Sequence, residues 1–339
     1  MSSTSGPPYM PAVAQVGGVP NVAVDVPISA VLMFLYVCLA VTHMTIFQVN
    51  LRREHKFVFS AMLFGLSMAR IAALTMRMVW ATHQTNVRIA IAAGILTQAG
   101  VIVVFIANLF FAQRIIRAYH AGFGWARGTR IVFRFLIFSV VGCLIMVIVC
   151  TIQSFYTLDT SIRSKDRDVQ LTAGTFLAFL SFVPAPAVII AALIPSRNHV
   201  EKFGQGRWRT KIILLVFTSL LLTVGSGFRI GTNFAPRPIT NPAWYHSRAC
   251  YYCFNYVIEI IVSSLYAAIR FDRRFHIPNG AKGPGDYARG QLSVNTEAEA
   301  FGQADGTDDE SVQGDPTSPE MSSEKIHGRG KKTTAGAIV

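Results

Sequence analysis

Seven apolar runs, at roughly 26–49, 57–80, 87–113, 131–155, 169–194, 211–233 and 248–271, are separated by short polar segments. Crossing a hydrocarbon layer about 30 Å thick takes about 20 residues of helix, and every run reaches that length. Alternation at period two is absent, which argues against a barrel of strands. The pattern predicts an all-α polytopic membrane protein, with seven transmembrane helices over 26–275 after a short extracellular segment, 1–25. Beyond them, 276–339 turns to Gly, Ser, Thr, Asp and Glu, and a segment so poor in apolar residues is expected to be a disordered cytoplasmic tail.

Composition agrees, since 52% of the 339 residues are hydrophobic and only 14% charged, and the mean hydropathy is +0.41. The net charge of +13 divides into +17 for residues 1–275 and −4 for the tail. The basicity thus belongs to the membrane part, which argues against nucleic acid and for the lipid bilayer as the main partner. Loops rich in Lys and Arg stay on the cytoplasmic side. Segments 50–56, 114–130, 195–211 and 270–274 hold 15 such residues, and the alternate segments 1–25, 81–88, 156–168 and 234–248 hold 6. The N-terminus is therefore expected outside and the C-terminus in the cytoplasm, with the plasma membrane as the expected location. The loop 156–168, with three bases, fits this least well.

Candidate chemistry lies where hydrocarbon would reject it. A charge at the centre of a span costs about 2.5–3.5 kcal/mol on insertion scales, so it is expected to find a partner. Glu259 is the only acid inside the expected spans, and Arg70 stands at similar depth, which predicts an intramembrane ion pair. At 100° per residue Tyr252, Asn255, Glu259, Ser263 and Tyr266 share about 80° of arc, as do Ser67, Arg70 and Arg77. Ser219, Thr223, Ser226, Arg229 and Asn233 form a broader polar face. These faces predict a polar cavity in the outer half built from Ser67, Arg77, Ser226, Arg229, Asn233, Tyr252 and Asn255, suited to a polar or anionic small ligand. Pro184 and Pro186 predict a kink in the fifth span.

No catalytic constellation, cofactor motif or metal-ligand set is evident, and the chain is not expected to be an enzyme. The last span lacks the lysine a retinal Schiff base needs, and His43 is the only histidine inside a span. The runs NLRREHKFVFSAMLFGLSMARI (50–71), IANLFFAQRIIRAYH (106–120) and RFDRRFHIPNGAKGPGDYARG (270–290) resemble a filamentous-fungal membrane protein family of unknown function. Some genomes label its members as family C-like G-protein-coupled receptor proteins. The resemblance covers about 25–290 and implies a receptor-like seven-helix bundle. Coupling to a cytoplasmic signalling partner would then fall to basic inner-loop residues, among them Arg127, Arg130, Arg207 and Arg209. The alternatives are a lipid or amphiphile carrier, resembling fungal lipid exporters in its helix count and intramembrane glutamate, and a non-signalling organiser that acts through its tail.

Overall fold

A computed structural model describes residues 6–9, 13–195 and 200–287. Among them the chain is all-α, and six helical stretches are long and apolar enough to cross a membrane. They are α1 (Val22–Arg52), α2 (Val58–Thr82), the pair α3 (Val87–Ala99) and α4 (Ile102–Tyr119), α6 (Arg127–Tyr156), the pair α7 (Thr160–Phe182) and α8 (Pro184–Leu193), and α9 (Trp208–Phe234). A one-turn helix, α5 (Ala121–Gly124), joins α4 to α6. The seventh expected run is helical but assembled from pieces. It comprises α10 (Arg248–Tyr252), a π-helical turn at Cys253–Val257 and α11 (Ile258–Ala268), so no single α-helix of crossing length stands there. A final turn, α12 (Phe271–Arg274), follows a left-handed Arg270 that ends α11.

Side-chain caps define several starts. Asn21 accepts from the Val24 amide at 3.0 Å while Asp25 accepts from the Asn21 amide at 2.9 Å, closing the first turn of α1 reciprocally. Asp159 accepts from the Ser161 amide at 2.8 Å. The segment 156–168, expected to be a loop, is therefore helical from Thr160 onward, and its three bases ride on the first turns of α7. The expected third span, 87–113, is two helices that meet at Gly100 and extend to Tyr119. The α7 ladder is interrupted at Val183, where Pro184 and Pro186 remove the amide donors that would continue it.

The outer faces are apolar and the interior is mixed. Val31, Phe34 and Val41 of α1, Phe135 and Phe138 of α6, and Ile213 of α9 point away from the protein, while Asp25, Arg70, Arg77, Lys211 and Glu259 are buried. This is the reverse of a soluble core and fits lipid as the surrounding solvent. α1 packs on α2, α2 on α3, α6 on α7 and α7 on α9. One end of the bundle carries the N-terminal segment, tied down by the Gly17 amide donating to His246 O at 2.9 Å and Gln84 Nε2 to Pro20 O at 2.8 Å. The other end, the basic one, centres on Phe57, Phe111, Phe271 and Phe275.

Residues 276–287, assigned by composition to the tail, pack on this basic end. Tyr287 is fully buried against Trp125 and Phe203, and Gly285 donates to Glu201 Oε1 at 2.7 Å. The Tyr287 ring and the aliphatic Ile277 give this stretch the apolar surface that the rest of the tail's composition lacks. Residues 288–339 of the expected tail lie outside the described residues. Burial pushes the Asp272 carboxyl up, but hydrogen bonds from Arg270 and Asn50 outweigh it and hold it below the usual range. Asp272 thereby fastens the end of α1 to α12, with Asn50 Nδ2 at 3.0 Å.

Candidate functional site

Arg70 and Glu259 meet side by side at the centre of the bundle. Arg70 Nε donates to Glu259 Oε2 at 2.6 Å and Nη2 to Oε1 at 2.5 Å, a bidentate pair with essentially no exposure on either side chain. The remaining nitrogen, Nη1, donates to Thr97 O at 2.5 Å and reaches Leu96 O at 3.4 Å. Those carbonyls belong to the last turn of α3, where the break at Gly100 leaves them without helix partners. The guanidinium therefore caps a helix end and neutralises an acid at once. Gly100 makes room for it, since a Cβ there would lie 2.8 Å from Arg70 Cζ and Nε. Gly100→Ala is expected to cost about 1–3 kcal/mol by overpacking. Gly94→Ala meets nothing within 4 Å and should be neutral or better. Thermal melting in detergent compares the two.

Tyr256 lies under the pair, with Arg70 Cζ 5.3 Å from its ring centre. Its hydroxyl joins Thr97 Oγ1 at 3.0 Å and the Tyr251 hydroxyl at 3.2 Å. The π-helical turn widens the backbone here, and side chains take up carbonyls within it and just before it. Tyr36 Oη donates to Tyr256 O at 3.0 Å and Asn255 Nδ2 to Tyr251 O at 2.9 Å.

A second buried acid, Asp25, stands nearer the N-terminal end. The expected first span began at 26, one residue too late to include it, so Glu259 is not the only acid within the helices. Its Oδ1 accepts from Tyr252 Oη at 2.8 Å and from Arg77 Nη2 at 3.1 Å, and Arg248 Nε lies 3.0 Å from Oδ2. Arg77 also donates to Gly17 O at 2.8 Å and Gly18 O at 3.1 Å, and lies 4.5 Å over the Tyr251 ring. Gly17, at φ +84° and with a Cβ position 2.7 Å from Tyr251 Cγ, admits only glycine.

Below the N-terminal segment the bundle opens into a cavity of about 490 Å³. Among the described residues its lining includes Arg77, Arg163, Arg167 and Arg229 and neither Asp nor Glu. Asp166, between two of these arginines in sequence, is buried toward Cys150 instead. Arg77 is committed to Asp25 and two carbonyls, whereas Arg229 makes, among the described residues, only a 3.4 Å contact to Gly225 O, one turn back in its own helix. Sequence treats these two arginines alike, and their surroundings separate them. Asn233 and Asn255 also line the cavity, together with Ile91, Ile95 and Phe228.

Three of the expected cavity residues are elsewhere. Ser67 bonds to Leu63 O within α2, Ser226 joins Ser181 Oγ across the α7–α9 contact at 2.8 Å, and Tyr252 serves Asp25 and Ser29. Short hydroxyls satisfied by helix carbonyls or neighbouring helices are the ordinary outcome in bundles, and a helical wheel does not separate them from cavity residues. Of the four basic residues expected in inner loops, Arg127, Arg207 and Arg209 are exposed and Arg130 is half-buried in a separate groove, and all but Arg207 lie within α6 or α9. Sequence reasoning also passed over Asn108, which donates to Ser219 Oγ at 3.1 Å and accepts from Tyr266 Oη. A lone amide within an apolar run was its signal.

Residues 201–276 match the model of a family described as a protein of unknown function, DUF3112. The matched stretch runs from before α9 to just past α12 and includes Arg229, Asn255 and Glu259, while Arg70 and Arg77 lie outside it. It carries neither the receptor label nor the fungal source that the sequence resemblance implies. No curated protein and no solved structure matches the chain.

Proposed function

We propose that this multi-pass membrane protein is a receptor-like seven-span bundle whose N-terminal cavity receives a small anionic molecule with an apolar body. The carrying observation is the cavity lining, which gathers four arginines with no acid among them, beside Ile91, Ile95 and Phe228. A volume near 490 Å³ suits a small ligand. Arg229 is its anchor, being less committed than Arg77, the other cavity arginine held within a buried helix face. The seventh crossing is Arg248–Ala268, whose 21 residues are long enough despite the π-helical turn. The basic end faces the cytoplasm, by the charge bias of the loops, in the plasma membrane.

Arg229 lies within electrostatic range of both Glu259 and Arg70. An anion seated on Arg229 cancels its pull on Glu259 and its repulsion of Arg70, so occupancy biases the central ion pair and, through Thr97, the break between α3 and α4. Only such differential interaction with two bundle states can transmit a signal. Arg127, Arg207 and Arg209 present the response at the basic end. A carrier is less well supported, because both Glu259 oxygens are taken by Arg70 and neither is free for a proton or substrate. An organiser would need none of this interior.

Hexyl phosphate, with hexan-1-ol as its uncharged counterpart, tests the cavity on the full chain in nanodiscs. Hexyl phosphate should raise the melting temperature, and Arg229→Gln should shift the half-effect concentration at least about tenfold, the scale of one lost charge-assisted bond. Equal half-effect concentrations in parent and variant would remove the cavity from the proposed role.

A further inference from the structure

A second cavity, of about 540 Å³, opens at the basic end beside α4 and α6, remote from Arg229 in the chain and in the bundle. Four of its lining residues are cations, namely Arg117 of α4, Arg130 and Arg134 of α6, and Lys282 from the segment after α12. Among the described residues the lining includes neither Asp nor Glu. Its other wall is apolar, formed by Phe110, Ile137 and Phe138. Arg130, Arg134 and Phe138 follow one another at four-residue spacing and so form a column on α6, cations near the helix start and the aromatic ring deeper. Phe138 is 73% exposed on a face turned to lipid.

Two hydrogen-bond donors at this groove lack acceptors. Arg117 Nε and Trp125 Nε1 are both buried without a partner among the described residues, and the guanidinium carbon sits 4.5 Å over the Trp125 ring. The Tyr287 hydroxyl lies beside Arg117 without reaching it in hydrogen-bond geometry. Buried donors are nearly always satisfied, and a phosphate oxygen between these side chains would satisfy them. The site is thus cationic at the end of the bundle, aromatic toward its mid-depth and open sideways to the bilayer.

We infer that this groove holds an anionic phospholipid, its phosphate among Arg117, Arg130, Arg134 and Lys282 and one acyl chain along Phe138. A soluble phosphate would use the cations but leave the exposed aromatic wall without purpose, whereas a lipid uses both. Lys282 adds a consequence for the chain itself. It belongs to the segment held down by Tyr287 and by Gly285 on Glu201, so the bound headgroup fastens 276–287 to α4 and α6.

The test uses the full chain, delipidated in detergent, with retained lipid counted by native mass spectrometry. The probes are dioleoylphosphatidic acid, dioleoylphosphatidylcholine and glycerol 3-phosphate. Phosphatidic acid should bind at least about tenfold more tightly than phosphatidylcholine. Arg130→Gln, Arg134→Gln and Lys282→Gln together should weaken it on the order of 100-fold. Arg134→Gln alone, at an exposed side chain with no hydrogen-bond partner among the described residues, should weaken it about fivefold without disturbing the fold. Removing the same charge from Arg52, Arg53 and Lys56, exposed bases at the same end, should change binding less than threefold. An equal loss in that control would reduce the effect to diffuse charge and overturn the site, as would unchanged binding in the first two variants. Competition by glycerol 3-phosphate at the concentrations effective for the lipid would make it a soluble-phosphate site instead.

Discussion

Replacing Glu259 by Ala is expected to lower the stability of the detergent-solubilised protein by about 3–5 kcal/mol, because it leaves the Arg70 charge buried and unmatched. Arg70→Met should cost a similar amount, since it strands the carboxylate and also returns the Thr97 and Leu96 carbonyls to an unsatisfied state. The double variant Arg70→Met with Glu259→Ala removes both charges and strands neither partner. It should cost no more than either single variant, so that the coupling energy in a double-mutant cycle is about 3 kcal/mol or more. Unfolding titrations by SDS in mixed micelles measure all four proteins. Additive losses would mean that the two groups do not depend on each other, against the bidentate geometry.

Asp25→Ala should come next in size, at about 3 kcal/mol, and should act on a different part of the molecule. Asp25 gathers Arg77, Arg248, Tyr252 and the Asn21 amide, and Arg77 in turn holds Gly17 and Gly18. Losing the acid therefore frees the N-terminal segment that roofs the cavity. Hydrogen exchange should accelerate over 13–25 in this variant and remain near parent levels there in Glu259→Ala. The two arginine partners should differ, because Arg248 is partly exposed and its pairing is screened by water, whereas Arg77 is buried. Arg248→Gln should cost less than about 1 kcal/mol and Arg77→Met several times that. Comparable costs would place the anchoring of Asp25 at the surface.

The helical, membrane-embedded class is legible in the chain because hydrocarbon imposes one rule on every residue of a span, and a run of about 20 apolar residues meets it in few ways. The nearness of Arg70 to Glu259 is legible for the same reason, since two isolated opposite charges at one depth have few other partners. Asp25 is not, because it sits one residue before the run that hydropathy marks, and only its hydrogen bonds draw it inside. The break at Gly100 is equally silent, as Ala-Gly-Val within an apolar stretch reads as uninterrupted helix until the guanidinium that occupies it is known. The difference between Arg77 and Arg229 depends on which carbonyls and acids lie across the bundle, information carried by tertiary packing alone. Residues 276–287 misled through their neighbours, because averaging over the whole segment conceals Ile277 and Tyr287.

The distances along the chain between Arg70 and its partners set an order for biosynthesis. Its carbonyl acceptors lie 26 and 27 residues downstream, but Glu259 lies 189 residues away. At elongation rates of about 5–20 residues per second, the arginine is made roughly 10–40 s before its counter-charge exists. During that interval the backbone oxygens at the end of α3 are what is available to keep a nascent cation tolerable in the membrane. The same helix break that shapes the finished protein thereby serves as a holding station while the ribosome completes it.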